Sequence, residues 1–109
     1  MTDPDILTEQ RKGGRMRKEA RSDFSNRLKK NREALDFLDR KLLTLLNQRL
    51  RITLRIGKIK KATGKKIYDP EREKEILESL QRKNKGPLNK EDLRKIFGMI
   101  IKVCRQAQV

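Results

Sequence analysis

The chain has 109 residues, of which 34% are hydrophobic against the roughly 45–50% of an ordinary globular protein, so it holds one domain whose core would be thin in a lone monomer. Its 30 Lys and Arg against 15 Asp and Glu leave a formal charge of +15, which calls for an anionic partner: nucleic acid, a membrane surface or a small polyanion. With no His and a single Cys, Cys104, an imidazole base, a structural zinc site and an intrachain disulfide are excluded, and any catalysis falls to Lys, Arg, carboxylates or amides.

Residues 1–22 carry Pro4, Gly13 and Gly14 among scattered charges without a sustained apolar period, and read as a disordered basic tail to which no chemistry is assigned. From Asp23 onward no Pro or Gly interrupts the chain until Gly57, and Leu35, Leu38, Leu42, Leu45, Ile52, Ile56 and Ile59 recur at spacings of three and four. This pattern predicts one very long amphipathic helix ending before Gly64, with Gly57 inside it at a cost of about 1 kcal/mol relative to Ala. A second helix opens at Asp69, a capping side chain, followed by Pro70 at the favoured first position and by Glu71 and Glu73 near the positive end of the dipole. Its apolar face is Ile76, Leu77 and Leu80, and it stops near Gly86 and Pro87. Asn89 caps a third helix, with Asp92 placed to reciprocate, and the inward stripe there is Leu93, Ile96, Phe97, Ile100, Ile101 and Cys104. No segment shows strand alternation, so the fold class is all-α: three helices forming one domain over residues 23–109.

A helix over residues 23–61 would be roughly 55–60 Å long at 1.5 Å per residue, whereas a compact domain of this size has a radius of gyration of about 13 Å. The two shorter helices cannot cover such a rod, and the apolar stripe is expected to bury itself against a second copy in an intertwined homodimer. No apolar run approaches the ~18 residues of a membrane span, and the N-terminus has charge without an apolar segment. We therefore expect a cytoplasmic protein that neither enters a membrane nor is secreted.

Several charged or polar residues stand where apolar ones belong. Between Leu45 and Ile52 the inward position is held by Arg49, an always-ionised group that needs an anion. Lys60 follows about three turns later on nearly the same side, roughly 16 Å along the axis. Arg72 and Glu73 precede Ile76 and Leu77 by one turn, and Gln108 continues the third stripe one turn after Cys104. Each alone has an ordinary account: Arg49 paired with a structural carboxylate or snorkelling to solvent, Lys60 one of a solvated basic run, Arg72 and Glu73 surface charges, Gln108 frayed, Cys104 a small core residue. Together, two cations, an acid and an amide facing inward from three helices describe a polar pocket inside a bundle.

The stretch REALDFLDRKLLTLLNQRLRITLRIGKIK over residues 32–60, the YDPERE of residues 68–73 and the IFGMIIKVCRQAQ of residues 96–108 together resemble the all-helical chorismate mutases, including those fused to prephenate dehydratase or dehydrogenase. The resemblance covers about residues 27–108, and the set of spacings carries it. It implies conversion of chorismate to prephenate in aromatic amino acid biosynthesis, with no metal or cofactor. Residue by residue, it implies that Arg49 grips a substrate carboxylate and that Arg32 reaches into the site from the other subunit. Arg32 lies about 25 Å along the helix from Arg49, too far to touch one small ligand within a chain. It further implies that Lys60 and Gln108 hydrogen-bond the ether oxygen, that Glu73 and the backbone at Asp69 contact the substrate hydroxyl, and that Arg72 lines the site. Cys104 departs from the pattern, standing where many members carry a Ser that touches a carboxylate; a thiol is the weaker donor.

Two alternatives accompany this expectation. One is isochorismate pyruvate lyase, which shares the fold and a similar pocket; Glu73 favours the mutase. The other is a basic helical nucleic-acid-binding protein, suggested by the charge. For that role Phe24, Phe37, Tyr68 and Phe97 are too scattered to form a stacking platform, and no helix-turn-helix or basic-zipper pattern stands out.

Overall fold

A computed structural model describes residues 17–109. They form three helices, α1 (Lys18–Thr63), α2 (Pro70–Lys83) and α3 (Lys90–Ala107), with no strand among the described residues, so the chain is all-α as its periodicity predicts. α1 begins at Lys18, five residues before the predicted start at Asp23; the rest of the expected tail, residues 1–16, lies outside the described residues. No described helix is long and apolar enough to cross a membrane.

The chain divides into two units, residues 1–40 and 41–109. The described part of the first is helical and exposed almost throughout, with Asp23 and Arg27 3.8 Å apart and the Arg27 guanidinium 5.1 Å from the Phe24 ring centre. The second holds the end of α1 together with α2 and α3. Its buried residues are few: Leu93, Ile101 and Cys104, with Thr53, Gly57 and Gln108. α2 and α3 pack on each other, and Ile76, Leu77 and Leu80 are half-buried as predicted.

Helix ends follow local chemistry. Past Thr63, Gly64 takes φ +71, a conformation that a Cβ would penalise. The Gly64 amide then donates to the Lys61 carbonyl and the Lys65 amide to that of Lys60, at 3.5 and 2.8 Å, the paired bonds of a Schellman ending. Asp69 caps α2 by accepting from the Arg72 amide at 3.1 Å, with Pro70 in the first turn. Asn89 caps α3 through its side chain: its Oδ1 accepts from the Asp92 amide and its Nδ2 donates to the Asp92 carboxylate, both at 2.8 Å, so Asp92 answers the Asn89 side chain rather than its backbone amide.

One core expectation needs correction. Ile96 is 49% exposed, because at about 100° per residue it sits roughly a quarter-turn from the middle of the seam that runs through Leu93, Ile101, Cys104 and Gln108. Phe97 and Ile100 are half-buried. The apolar stripe of α1, from Leu35 to Ile59, stays between 42% and 61% exposed in the single chain.

Replacing Asn89 by Ala removes both side-chain bonds at the start of α3. The expected loss is about 1 kcal/mol of stability, read as a lower thermal midpoint in circular dichroism with native helicity retained at 25 °C.

Candidate active site

The second unit encloses one cleft of about 260 Å³ to which all three helices contribute. Arg49, Thr53 and Lys60 come from α1; Asp69, Arg72 and Glu73 from the start of α2; Cys104, Arg105 and Gln108 from the end of α3. Ile52, Ile56, Ile67, Ile76 and Ile101 supply the apolar lining between them. Seven of the eight residues singled out in the sequence thus share one cavity. Arg32 belongs to the first unit and is not among the lining residues.

The cleft is electrostatically lopsided, with Arg49, Lys60, Arg72 and Arg105 set against Asp69 and Glu73. Arg49 is half-buried and has no ion-pair partner among the described residues. Lys60 Nζ donates to the Ile67 carbonyl at 2.9 Å, which orients the ammonium without neutralising it and leaves two of its three donors for other acceptors. Asp69 is committed to its cap, and the backbone there also accepts from the Glu73 amide at 3.1 Å. Arg72 pairs with Glu75 at 3.0 Å where both are well exposed, a contact of little energetic weight.

Gln108 is 9% exposed, and its Oε1 is buried without a hydrogen-bond partner. Such an orphan costs about 1–3 kcal/mol, and turning the amide by half a revolution sets its Nε2 donor at the same place. The side chain arrives there because position 57 carries none: a Cβ on Gly57 would stand 3.0 Å from Gln108 Cγ and 3.1 Å from its Cβ. Gln108 is therefore held at the C-cap of α3, where its amide N–H donates to the Arg105 carbonyl at 3.1 Å. Cys104, 5% exposed, is a free thiol in the same wall.

Three features escaped the sequence reading. Gly57 read as a tolerated helix glycine, and only the packed α3 shows what its bare face admits. Thr53, 8% exposed, sits one turn after Arg49, a spacing that could have placed it on the same face. Arg105 looked like one more surface cation, yet its Nη1 donates to both Glu73 oxygens at 2.7 and 2.8 Å while the guanidinium lies 4.6 Å from the Tyr68 ring centre. Its signal in sequence was weak: it stands four residues after Ile101 and three before Gln108, at the edge of the buried seam.

Comparison with known proteins accords with this geometry. The model of the chorismate mutase type II family matches residues 31–109. The bifunctional chorismate mutase/prephenate dehydratase of Aquifex aeolicus is 41% identical over 81 residues, spanning 71% of this chain and 22% of that protein. The chain thus corresponds to about a fifth of the length of that relative. Among solved structures, chorismate mutase (Form II) from Thermus thermophilus superposes with a TM-score of 0.74 at 35% identity, covering 75% of this chain and 93% of that one. Chorismate mutase from Helicobacter pylori in complex with prephenate gives a TM-score of 0.71 at 37% identity, covering 76% and 90%.

The seat at Gly57 is open to test. Gly57→Ala should keep overall helicity while the amides of residues 105–108 exchange with solvent about fivefold faster or more, since overpacking by one methyl costs about 1–3 kcal/mol locally. Unchanged protection there would show that Gly57 does not seat Gln108.

Proposed function

We propose that this chain, which belongs to the chorismate mutase type II family, rearranges chorismate to prephenate in the cleft of its second unit. The observation that carries this reading is the convergence there of a half-buried Arg49 without an acid, a Lys60 satisfied only by a carbonyl, and a buried Gln108 amide with an orphaned end. Such a set leaves positive charge and a polar group waiting for an anionic ligand that also carries hydrogen-bonding oxygens.

The reaction is a unimolecular Claisen rearrangement: the ether carbon–oxygen bond breaks as a carbon–carbon bond forms. No proton moves and no nucleophile attacks, in keeping with a site built from guanidinium, ammonium and amide groups. What the protein supplies is restraint of the substrate in a folded, chair-like conformer and donors where the ether oxygen gains negative charge. Arg49 and Arg72 hold carboxylates. Lys60, with its ammonium already oriented by Ile67, and Gln108 meet the ether oxygen. Glu73 and the backbone at Asp69 receive the substrate hydroxyl, and the Cys104 thiol lies against a carboxylate. The reaction serves aromatic amino acid biosynthesis in the cytoplasm, where a free thiol such as Cys104 stays reduced.

The working unit in this proposal is an intertwined homodimer. The half-exposed α1 stripe from Leu35 to Ile59 is more apolar surface than a monomer of this size ordinarily leaves in water, and a second α1 has the matching periodicity to cover it. In that arrangement Arg32 of the partner subunit completes each cleft.

Incubation of the purified protein with chorismate should yield prephenate. Lys60→Ala should lower kcat by about 100- to 1,000-fold, the range for loss of one preorganised donor, with helicity and mass in solution unchanged. A variant turning over at the wild-type rate would remove Lys60 from the mechanism, and absence of prephenate with the wild-type protein would overturn the proposal itself.

Light scattering should return the mass of a dimer. Mixed dimers of Arg32→Ala and Arg49→Ala subunits should then regain activity that neither variant has alone, because one of their two clefts is intact. Confirmed mixed dimers without recovery would argue against shared sites.

A further inference from the structure

A carboxylate in the wall of a cleft that receives a dianion is a liability unless something offsets its charge. The two acids here differ in this respect. Asp69 is engaged by the amide of Arg72 at the start of α2, whereas Glu73 turns to α3, where one guanidinium nitrogen of Arg105 straddles both of its oxygens at 2.7 and 2.8 Å. The Arg105 and Glu73 side chains are 29% and 24% exposed, buried enough that their charges are screened less than those of surface pairs. The Tyr68 ring lies 4.6 Å from the guanidinium carbon, so the cation is held from two sides. The remaining lone pairs of Glu73 stay available, since a carboxylate offers about four acceptor positions and Arg105 takes one on each oxygen.

We infer that Arg105 is a positioning residue: it cancels the Glu73 charge that would oppose a dianionic ligand and fixes that carboxylate in the cleft wall as a neutralised acceptor for a hydroxyl. The inference rests on the chorismate mutase reading of the cleft. It assigns Glu73 and Arg105 opposite electrostatic effects on the ligand, although they form the same tie between α2 and α3. A pair that only fastened two helices would weaken the site in the same way whichever partner was removed.

That contrast supplies the test, in which prephenate binding is measured by titration calorimetry at pH 7 beside chorismate turnover. Arg105→Gln should weaken prephenate binding roughly tenfold or more, because Glu73 then faces the dianion uncompensated. Glu73→Gln, which breaks the same tie from the other side, removes the charge but keeps an oxygen acceptor for the hydroxyl, and should weaken prephenate binding less than Arg105→Gln does, because the cleft gains net positive charge. The double variant Arg105→Gln with Glu73→Gln should recover much of the affinity lost in Arg105→Gln, and Arg105→Lys, which keeps the charge but not the guanidinium that straddles both Glu73 oxygens, should fall between Arg105→Gln and wild type. Unchanged affinity in Arg105→Gln, or a double variant no tighter than Arg105→Gln, overturns the inference while wild-type conversion of chorismate leaves the reading of the cleft standing. If Arg105→Gln loses its helicity, the Glu73→Gln arm decides, and a weakening of about tenfold or more there overturns the inference. A wild-type protein that neither binds prephenate nor converts chorismate overturns both.

Discussion

Positive charge that is not neutralised within the chain governs the second unit. Ionised groups are costly to remove from water unless paired, yet Arg49 stands half-buried on α1 with no acidic partner among the described residues, and Lys60 finds only the carbonyl of Ile67. The acids that line the same cleft are already engaged, Asp69 by a helix cap and Glu73 by Arg105. The imbalance between the cations and the acids leaves the cavity with net positive charge rather than a closed ion-pair network. The proposed rearrangement needs no imidazole, since it asks for held carboxylates and a stabilised oxygen and not for proton transfer.

Several polar groups of the cleft are placed by a feature of the backbone nearby. The Schellman ending at Gly64 turns the chain out of α1, and Lys60, whose carbonyl takes part in that ending, sends its ammonium across to Ile67 in the segment that follows. The Asp69 cap starts α2 so that Arg72 and Glu73 fall in its first turn. The bare face of Gly57 lets Gln108 approach α1 at van der Waals distance. Site and scaffold are therefore the same residues in several places, which suits a unit with so few buried apolar side chains. The half-exposed stripe of α1 is the other side of this sharing: its apolar surface is not used within the single chain.

Local features were legible in the sequence because they depend on neighbours along the chain. The three helices, the Asp69 and Asn89 caps, the Pro70 start and the stop before Gly64 all follow from residues within a turn or two of one another. The inward placement of Arg49, Lys60 and Gln108 was also readable, since it needs only helical period and an interrupted apolar stripe. Ile96 was misplaced for a related reason: a stripe drawn at spacings of three and four spans more than a quarter of the helix circumference, and only the packed neighbour decides which edge is covered. Arg105 was overlooked because its partner Glu73 is 32 residues away, and its place at the edge of the buried seam separates it only weakly from the many other basic residues of this chain.

By itself, then, the order of residues determined the helices, their ends and the inward side of Arg49, Lys60 and Gln108, because hydrogen bonds between near neighbours and a period of 3.6 are properties of a segment. The tertiary structure alone decided which of those groups meet. It brought Glu73 to Arg105 and Tyr68, pressed Gln108 onto Gly57, and gathered the cations of three helices around one cavity. Contacts of that kind depend on how separate helices pack, and no local pattern encodes the distance between two side chains on different elements.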